Sequence, residues 1–506
     1  TTTGAAQPPL NPDDLHLVLL WHQHQPLYPK DENGVVTRPW VRLHAAKDYW
    51  DMAELVGRYP DLRISFNLTP VLLLQLEEIM DGTRDSYWVH TEVPAEQLTQ
   101  EERAFLLARF FDVNPAIISR FPRYEELSNQ RDEGAEFTTQ DYLDLQVLFN
   151  LAWTDPDLLD GPVLRDLVAK GRDFVEADKP SVLTVHLEAV AATLDIHERL
   201  WAEGQIEVTT TPLAHPILPL ISDTDLALVG DPTAIMPNER FREPIDAREQ
   251  VTRGLDFAER LLGRRPAGMW PGEGAVAQQV TSIWASEGVT WVATGEDVLG
   301  QTLDTGSFER DAEGTVVDAD VLYAMYEAQH ARNPDLPILF RDVTISDLIG
   351  FEYSGMSGQA AAADFMDRLE RANNRLEELG TGGPKVVTII VDGENAWEYY
   401  EDDGKEFLNA LYTNLSTSDL VRTVTPSELL AEFGDEAGPL PDVFPASWFQ
   451  PNFATWIGEP EEATAWDALG ATRRAYAAAA SSESAAPEQL AAAYEALLFA
   501  EGSDWF

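Results

Sequence analysis

Five polar side chains that could do chemistry each follow a short apolar run of the sequence. His22 and His24 close LHLVLLWHQH, His215 follows QIEVTTTPLA, Glu273 stands between glycines in MWPGEG, and Asp392 closes KVVTIIVD. On an extended chain, side chains two residues apart project to the same face, so both histidines of the first run point together. Two facing carboxylates can break a glycosidic bond, one as nucleophile and the other first as acid and then as base. Glu273 and Asp392 are therefore a candidate pair for glycoside hydrolysis with retention.

Each of these residues also has a purely structural explanation. An aspartate after a strand can cap the next helix, here NAWEYY, and a glutamate in a chain with 87 acidic residues is most often a solvated surface group. The histidines stand close to prolines and could be ordinary buried side chains at turns. However, a carboxylate at the end of a buried strand costs free energy unless a partner or a reaction uses it. The glycines around Glu273 also let a ligand approach the backbone closely, so we prefer the catalytic hypothesis for both carboxylates.

The elements that must position these residues are strands and helices in alternation. Six apolar or β-branched runs occupy residues 15–21, 62–68, 205–211, 266–270, 289–294 and 385–391. Continuous apolar runs fit strands buried on both faces, as in parallel sheets. Helical patterns separate them, for example at 45–60 and at 362–380, where Gly380 suits a helix C-cap. This order predicts an α/β fold, and a closed barrel with its reactive groups on the loops after the strands fits the chain length.

Two regions depart from this alternation. Residues from about 97 to 201 have almost only helical patterns, which predicts a helical insertion within a barrel unit spanning residues 12–435. Residues 436–506 are predicted to form a C-terminal helical region that contributes to the active-site cleft, with two Ala-rich helices separated by SSESAA. The first residues, TTTGAAQPPLNPDD, contain no apolar signal core, so a mature or trimmed start is expected.

The charge of the chain restricts its partners. There are 87 acidic residues against 35 basic ones, a formal net charge of −52. Such a charge repels nucleic acid and anionic membrane surfaces, and no run of about 18 or more apolar residues suggests a membrane span. Cysteine is absent, which excludes disulfides and thiolate metal sites. Neutral ligands such as sugars remain, and the acidic surface itself is typical of a protein that works in high salt.

Two other classes of function remain open from the residues alone. His-x-His after the first strand of a barrel could begin a metal site of a hydrolase or deacetylase, since imidazole suits Zn²⁺. The further ligands are missing, because His186 and His197 fall in the helical region and Lys385 stands before its strand. A non-catalytic sugar-binding protein with the same fold is the other alternative, and the presence of both carboxylates argues against it.

Five segments together resemble a known family. The five sequence regions of family 57 glycoside hydrolases are similar, in this order, to WHQHQP, GQIEVTTTPLAHPILPL, GMWPGEGAV, VDGENAWEYY and SWFQPNFATWIGEPEE. Within the family, these segments are most similar to the amylopullulanase-type branch. The resemblance implies an incomplete, seven-stranded (β/α) barrel with a C-terminal helical bundle. It also implies retaining action on α-glucans such as starch, glycogen and pullulan, at α-1,4 bonds with α-1,6 bonds as an additional target. It implies no cofactor, although a structural calcium ion is compatible with it.

The resemblance also assigns roles at matching positions. Glu273 corresponds to the nucleophile and Asp392 to the general acid/base, and it places His22, His24, His215, Trp270, Trp448 and Trp456 along the sugar-binding cleft. The family contains α-amylases, branching enzymes, 4-α-glucanotransferases and α-galactosidases that share these two carboxylates. A 4-α-glucanotransferase or branching activity is therefore the main alternative to hydrolysis.

Overall fold

The structure, a computed structural model, describes residues 9–394, 396–482 and 485–506. Part of the predicted trimmed start, residues 1–8, lies outside the described residues, as do residue 395 and residues 483–484 of the predicted break between the last two helices.

Seven parallel strands form a nearly closed barrel. They are β1 (Leu15–Gln23), β2 (Ile64–Leu68), β3 (Ile206–Thr209), β4 (Gly268–Met269), β5 (Trp291–Gly295), β6 (Leu336–Arg341) and β7 (Lys385–Asp392). The order around the barrel is β3, β2, β1, β7, β6, β5, β4, and a parallel bridge between Thr210 and Met269 joins β3 to β4. The predicted α/β fold with an incomplete (β/α)7 barrel is confirmed.

All six predicted strand regions contain a strand, whereas β6 was not predicted. Its sequence, LPILFR, contains Pro337, which has no N–H for a ladder, and ends in a charged residue. Three shorter strands also escaped prediction: Tyr326–Ala328, Val421–Thr423 and Gly438–Leu440.

The alternation of side chains along the strands decides which residues reach the inside of the barrel. Val18 and Leu20 of β1 belong to a small inner cluster together with Ile390 of β7, while Leu17 and Leu19 belong to the large core shared with the surrounding helices. Because side chains alternate between faces, His22 continues the inner face of β1. By the same parity, Asp392 continues the inner face of β7.

The helices fall into three groups along the chain. Between β1 and β2 and between β2 and β3 they are Trp40–His44, Trp50–Gly57, Pro70–Met80, Ser86–Glu92, Gln100–Arg109, Pro115–Ile118, Pro122–Asp132, Thr139–Ala152, Pro156–Leu159, Arg165–Lys170 and Lys179–Ala202. Between β3 and β7 they are Leu218–Ser222, Ala227–Gly230, Pro244–Leu262, Gln278–Ser286, Glu296–Thr302, Ala319–Leu322, Val343–Asp347 and Gly358–Leu379. After β7 they are Lys405–Ser416, Pro426–Phe433, Pro460–Ser481 and Pro487–Ala500. No helix in the described ranges is both long and apolar enough to cross a membrane.

The long connection between β2 and β3 has a core of its own. Its helices bury an aromatic and aliphatic cluster that includes Tyr87, Phe110, Phe149 and Trp153. The last of these helices, Lys179–Ala202, leads directly back to β3. The limits of the insertion and of the C-terminal helical region stay predictions.

The excess of acidic residues predicts that salt stabilises the fold. At a net charge of −52, like charges repel one another in the compact state, and salt shortens the range of this repulsion from about 30 Å at 0.01 M to about 3 Å at 1 M. We expect the melting temperature to rise by several degrees between millimolar and molar NaCl. Sucrose at equal osmolarity is the control, and a flat or falling curve with NaCl would contradict the expectation.

Candidate active site

One row of polar side chains lies at the carboxyl ends of neighbouring strands. The register pairs His22 with Asp392 of β7 on one side and with Asn67 of β2 on the other. His22 is buried, and its Nδ1 lies 2.8 Å from Oδ1 of Asn67. Burial and the neighbouring His24 lower the pKa of His22 to about 3. The imidazole is therefore neutral, and its Nδ1 donates to the amide oxygen.

Three imidazoles stack beside this row. The ring of His215 lies 4.0 Å from that of His24 and 5.3 Å from that of His22, at interplanar angles of 18° and 17°. His215 is buried, and this burial together with the two other histidines holds its pKa well below the ordinary value. The structure thus brings together the three histidines that the sequence analysis selected.

His24 is fixed by partners on three sides. Its backbone N–H donates to Oε1 of Glu394 at 3.0 Å, its Nδ1 lies 3.3 Å from Oγ1 of Thr69, and its Nε2 lies 3.1 Å from Oδ1 of Asp504. The backbone of His24 is therefore held by Glu394, and the orientation of its ring is fixed by Thr69 and Asp504.

Glu273 lies on a tight turn, Gly272–Gly274, that follows β4. Its own φ is 54°, in the left-handed region that a residue with a side chain rarely adopts. A Cβ on Gly272 would come within 2.4 Å of the Pro216 carbonyl oxygen, and one on Gly274 within 2.6 Å of Trp448 Cβ. The glycines of WPGEG are therefore required by close packing, and the strained backbone at Glu273 is typical of a functional site.

The Glu273 carboxylate lies among the charged and polar groups of this rim. Its Oε1 accepts a hydrogen bond from Oγ of Ser503 at 3.2 Å and lies 3.7 Å from Nδ1 of His215. Burial raises the pKa of Glu273, His24 lowers it, and the negative charges of Asp392 and Asp504 raise it further. Asp392 is half-buried at the end of β7. The two predicted catalytic carboxylates are thus close enough for the charge of one to act on the other.

A pH dependence follows from the raised pKa of Glu273. A nucleophilic carboxylate must be ionised, so kcat/KM should fall as the pH decreases through this pKa. We expect the acidic limb to lie above about 4.3, the ordinary value for glutamate, when kcat/KM is measured from pH 3.5 to 8 at constant ionic strength. An acidic limb at or below pH 4 would contradict the prediction that burial raises the pKa of Glu273.

The segment after the barrel closes one side of the site. The backbone N–H of Trp448 donates to the Glu273 carbonyl at 3.3 Å, and Val276 pairs with Ala446. The Trp448 indole packs edge-on against Trp270 at 5.0 Å, and the Arg341 guanidinium lies 4.7 Å from its ring centre. Trp448 therefore has a fixed orientation at the rim.

Trp448 and Asp392 line the same cavity, which has a volume of about 720 Å³. Three further aromatic residues line it with much of their surface open to solvent: Phe351, Tyr399 and Phe449 are 77%, 69% and 71% exposed. Such rings can stack on the apolar faces of sugar rings. The cavity thus offers an open, aromatic-lined approach to Asp392.

Two of the predicted cleft tryptophans, Trp270 and Trp456, do not line this cavity, and their place along the sugar-binding cleft stays a prediction. Trp270 is 0% exposed and Trp456 is 5% exposed. Trp456 belongs to the main core, where its carbonyl accepts a hydrogen bond from the Trp466 indole at 3.0 Å. A large apolar ring in a loop segment packs inward when the neighbouring helices leave room for it, and such a ring has no free face for a sugar.

Sequence reasoning missed several residues of the site. Glu394 accepts from the His24 backbone and, at 3.3 Å, from the hydroxyl of Tyr49, and burial raises its pKa well above the ordinary value. Its position two residues after Asp392, in the loop that leaves the carboxyl end of β7, was a usable signal. Ser503 and Asp504 gave no such signal, since they stand 230 or more residues from their partners Glu273 and His24.

The additional ligands that a metal site would need lie elsewhere. His186 bonds to Arg42 and Thr154 in the helical region, and Lys385 begins β7 at the opposite end of the barrel from Asp392. Within the described ranges, the one group of three side chains with converging ligand atoms is Asp51, Asp155 and Asp157. The Lys405 ammonium lies 2.6, 3.1 and 3.2 Å from these three carboxylates and offsets part of their negative charge.

Comparisons with known proteins identify the family and the fold of the chain. The sequence model of the family described as Glycosyl hydrolase family 57 matches residues 18–440. No curated protein matches the chain.

Several solved structures share the fold. The α-amylase AmyC from Thermotoga maritima aligns with 97% of this chain and 88% of its own, at 14% identity and a TM-score of 0.60. A branching enzyme of the same family from Pyrococcus horikoshii aligns with 97% of this chain and 84% of its own, at 14% identity and a TM-score of 0.59. The branching enzyme TK1436 from Thermococcus kodakaraensis, solved with glucose, aligns with 97% and 85%, at 15% identity and a TM-score of 0.60. At these identities, the likeness concerns the fold alone. Because the family match covers most of the chain, including both rim carboxylates, this protein belongs to glycosyl hydrolase family 57.

Proposed function

We propose that this protein hydrolyses α-glucans, such as starch, glycogen and pullulan, with retention of configuration. The observation that carries the proposal is the placement of Glu273 and Asp392 at the carboxyl ends of barrel strands, where the negative charge of Asp392 helps to raise the pKa of Glu273. Glycosidases break the glycosidic bond with a pair of carboxylates and no cofactor, and retention predicts that the carboxyl groups of Glu273 and Asp392 lie about 5–5.5 Å apart.

The reaction proceeds in two displacements. In the first, Glu273 attacks the anomeric carbon while Asp392 gives its proton to the glycosidic oxygen, so the C–O bond to the leaving sugar breaks and a glycosyl ester forms on Glu273. In the second, Asp392 takes a proton from water, the water oxygen attacks the anomeric carbon, and the ester bond to Glu273 breaks. The neutral His22 can hydrogen-bond to sugar hydroxyls without placing a positive charge in the site.

Trp448 is the best-placed indole for a sugar platform, because it lines the cavity beside Asp392. Trp448→Ala should raise KM for maltooligosaccharides roughly 5- to 150-fold, since a lost aromatic platform costs about 1–3 kcal/mol. Trp448→Phe keeps a ring at the same place and should retain most of the binding. Equal KM values for the alanine variant and the wild type would remove Trp448 from the binding site.

A second candidate function is transfer of the glycosyl group to another glucan, as a 4-α-glucanotransferase or a branching enzyme would do. The exposed rings of Phe351, Tyr399 and Phe449 around the cavity favour it, because an acceptor sugar stacked there would compete with water for the ester.

Product analysis separates these functions. Hydrolysis of soluble starch releases new reducing ends, whereas longer oligosaccharides formed from maltotriose report transfer, and loss of iodine staining without new reducing ends reports branching. Maltotriose released from pullulan reports cleavage of α-1,6 bonds. Glu273→Gln protein purified in parallel controls for contaminating amylases. Absence of all these products would overturn the proposal, and activity after exhaustive chelation would show whether a calcium ion is required.

A further inference from the structure

The turn Ser503–Trp505, which follows the last helix, reaches into the active site. Oγ of Ser503 lies 3.2 Å from Oε1 of Glu273 and 2.9 Å from Nδ1 of His215. Oδ1 of Asp504 lies 3.1 Å from Nε2 of His24. Two consecutive residues therefore contact one predicted catalytic carboxylate and two of the three stacked histidines, although they stand outside residues 18–440 that match the family model.

Several interactions hold this turn in place. The backbone N–H of Ser503 donates to the His215 carbonyl at 3.1 Å, and a Cβ on Gly502 would come within 2.6 Å of the Ala214 carbonyl oxygen. The Gln250 amide donates to the Leu498 carbonyl at 2.7 Å and to Glu501 at 2.8 Å. The approach of the turn to the site is thus fixed by backbone contacts and by a buried amide.

The hydrogen-bond donors available at Ser503 and His215 determine which ring nitrogen of His215 carries its proton. An ionised Glu273 can only accept, so the single hydroxyl proton of Ser503 goes to Glu273. The contact between Oγ and Nδ1 of His215 then requires that Nδ1 carries the proton of the neutral ring. Nε2 of His215 is left as an acceptor, and this buried atom has no hydrogen-bond partner among the described residues. An unsatisfied buried acceptor costs about 1–3 kcal/mol, so it needs a donor that arrives from outside, such as a sugar hydroxyl.

We propose that Ser503 and Asp504 are positioning residues of this active site, an assignment that rests on the proposed function of Glu273 as nucleophile. Ser503 orients the Glu273 carboxylate and sets the tautomer of His215 that leaves Nε2 free to accept a hydrogen bond from a sugar hydroxyl. Asp504 accepts from Nε2 of His24, and together with Oγ1 of Thr69, 3.3 Å from Nδ1, it keeps the ring stacked against His215.

Ser503→Ala tests the first part with a small structural change. We expect kcat to fall about 10- to 100-fold, on the scale of one lost hydrogen bond to a charged group, while KM stays within threefold. The acidic limb of kcat/KM should also move to higher pH, because a hydrogen bond to the ionised carboxylate lowers its pKa and the variant lacks it. The other groups that face Glu273, namely His24, His215, Asp392 and Asp504, are unchanged in this variant.

Asp504→Ala and Asp504→Asn test the second part. The asparagine keeps an oxygen that can accept from His24, so it should keep kcat/KM within threefold of the wild type, whereas the alanine variant should lose tenfold or more. Ser481→Ala and Glu495→Gln, at exposed positions on the last two helices, are matched controls that should behave as the wild type.

Trapping of the glycosyl ester on Glu273 distinguishes a positioning role of Ser503 and Asp504 from a mere loss of folded enzyme. A 5-fluoro-α-glucosyl fluoride should form an ester on Glu273, and intact-protein mass spectrometry gives the fraction of competent sites. We expect the Ser503→Ala and Asp504→Ala variants to have the same trapped fraction and melting temperature as the wild type but a lower kcat. Wild-type kcat in both alanine variants, or a loss of activity that only follows the trapped fraction and the melting temperature, would overturn the assignment. A wild-type protein that neither turns over glucans nor is trapped would overturn the proposed function, and this assignment with it.

Discussion

Glu273→Gln should lower turnover of α-glucans by about 10³-fold or more, which corresponds to about 4 kcal/mol of barrier. The amide cannot form the glycosyl ester, so the two-step pathway is lost. The fold should not suffer, because the carboxyl group of Glu273 is costly to bury, as its raised pKa shows, and the amide is neutral. We therefore expect a melting temperature equal to or above that of the wild type.

Asp392→Asn should have an effect of similar size on substrates with a poor leaving group, because the amide cannot protonate the glycosidic oxygen. An aryl glycoside with an acidic phenol leaving group needs less protonation and should retain more activity. Glu313→Gln and Asp442→Asn, both at exposed positions, are controls for the loss of a negative charge. More than about a tenth of wild-type activity in either catalytic variant would refute the role assigned to that residue, since one decade is only about 1.4 kcal/mol.

Trp456→Ala should destabilise the protein by about 3–5 kcal/mol, the usual cost of removing a buried tryptophan side chain. The ring is 5% exposed and packs in the main core, so its removal leaves a cavity that the neighbouring helices cannot fill. The measurement is the shift of the thermal or denaturant midpoint, and we expect a decrease of several degrees in melting temperature with KM for maltooligosaccharides within twofold.

Trp448→Ala is the matched comparison, because it is the same substitution eight residues earlier on the same segment. It should change KM far more than the melting temperature. A Trp456→Ala variant with normal stability and weakened glucan binding would reverse the core assignment and restore the role that the sequence pattern suggested.

These two tryptophans show what local sequence could and could not predict. Both stand in SWFQPNFATWIG, whose Pro451, Asn452 and Gly458 disfavour a helix. Nothing in that pattern distinguishes the indole at the cavity from the indole in the core. The distinction depends on which neighbours the loop meets, and those neighbours come from the barrel rim and from the helix Pro460–Ser481.

The strands were more predictable, because a strand that is buried on both faces has a continuous apolar sequence. Apolar runs such as KVVTIIVD predicted barrel strands and placed Asp392 at a strand end. The glycines of WPGEG predicted a backbone around Glu273 that a ligand can approach closely, and the structure shows Glu273 itself in the left-handed region. By contrast, LPILFR was overlooked, because Pro337 and Arg341 interrupt the apolar pattern although the strand is central to the barrel.

The sequence by itself thus determined the α/β barrel and the positions of the candidate catalytic residues at strand ends, and its net charge of −52 predicts that polyanionic partners are disfavoured. Only the tertiary structure decided that His22 stands beside Asp392 and Asn67, that His215 stacks on His24, and that Ser503 contacts Glu273. The physical reason is the range of the interactions. Periodicity and turn chemistry act over a few neighbouring residues, whereas strand register and the docking of the terminal turn join residues that are tens to hundreds of positions apart.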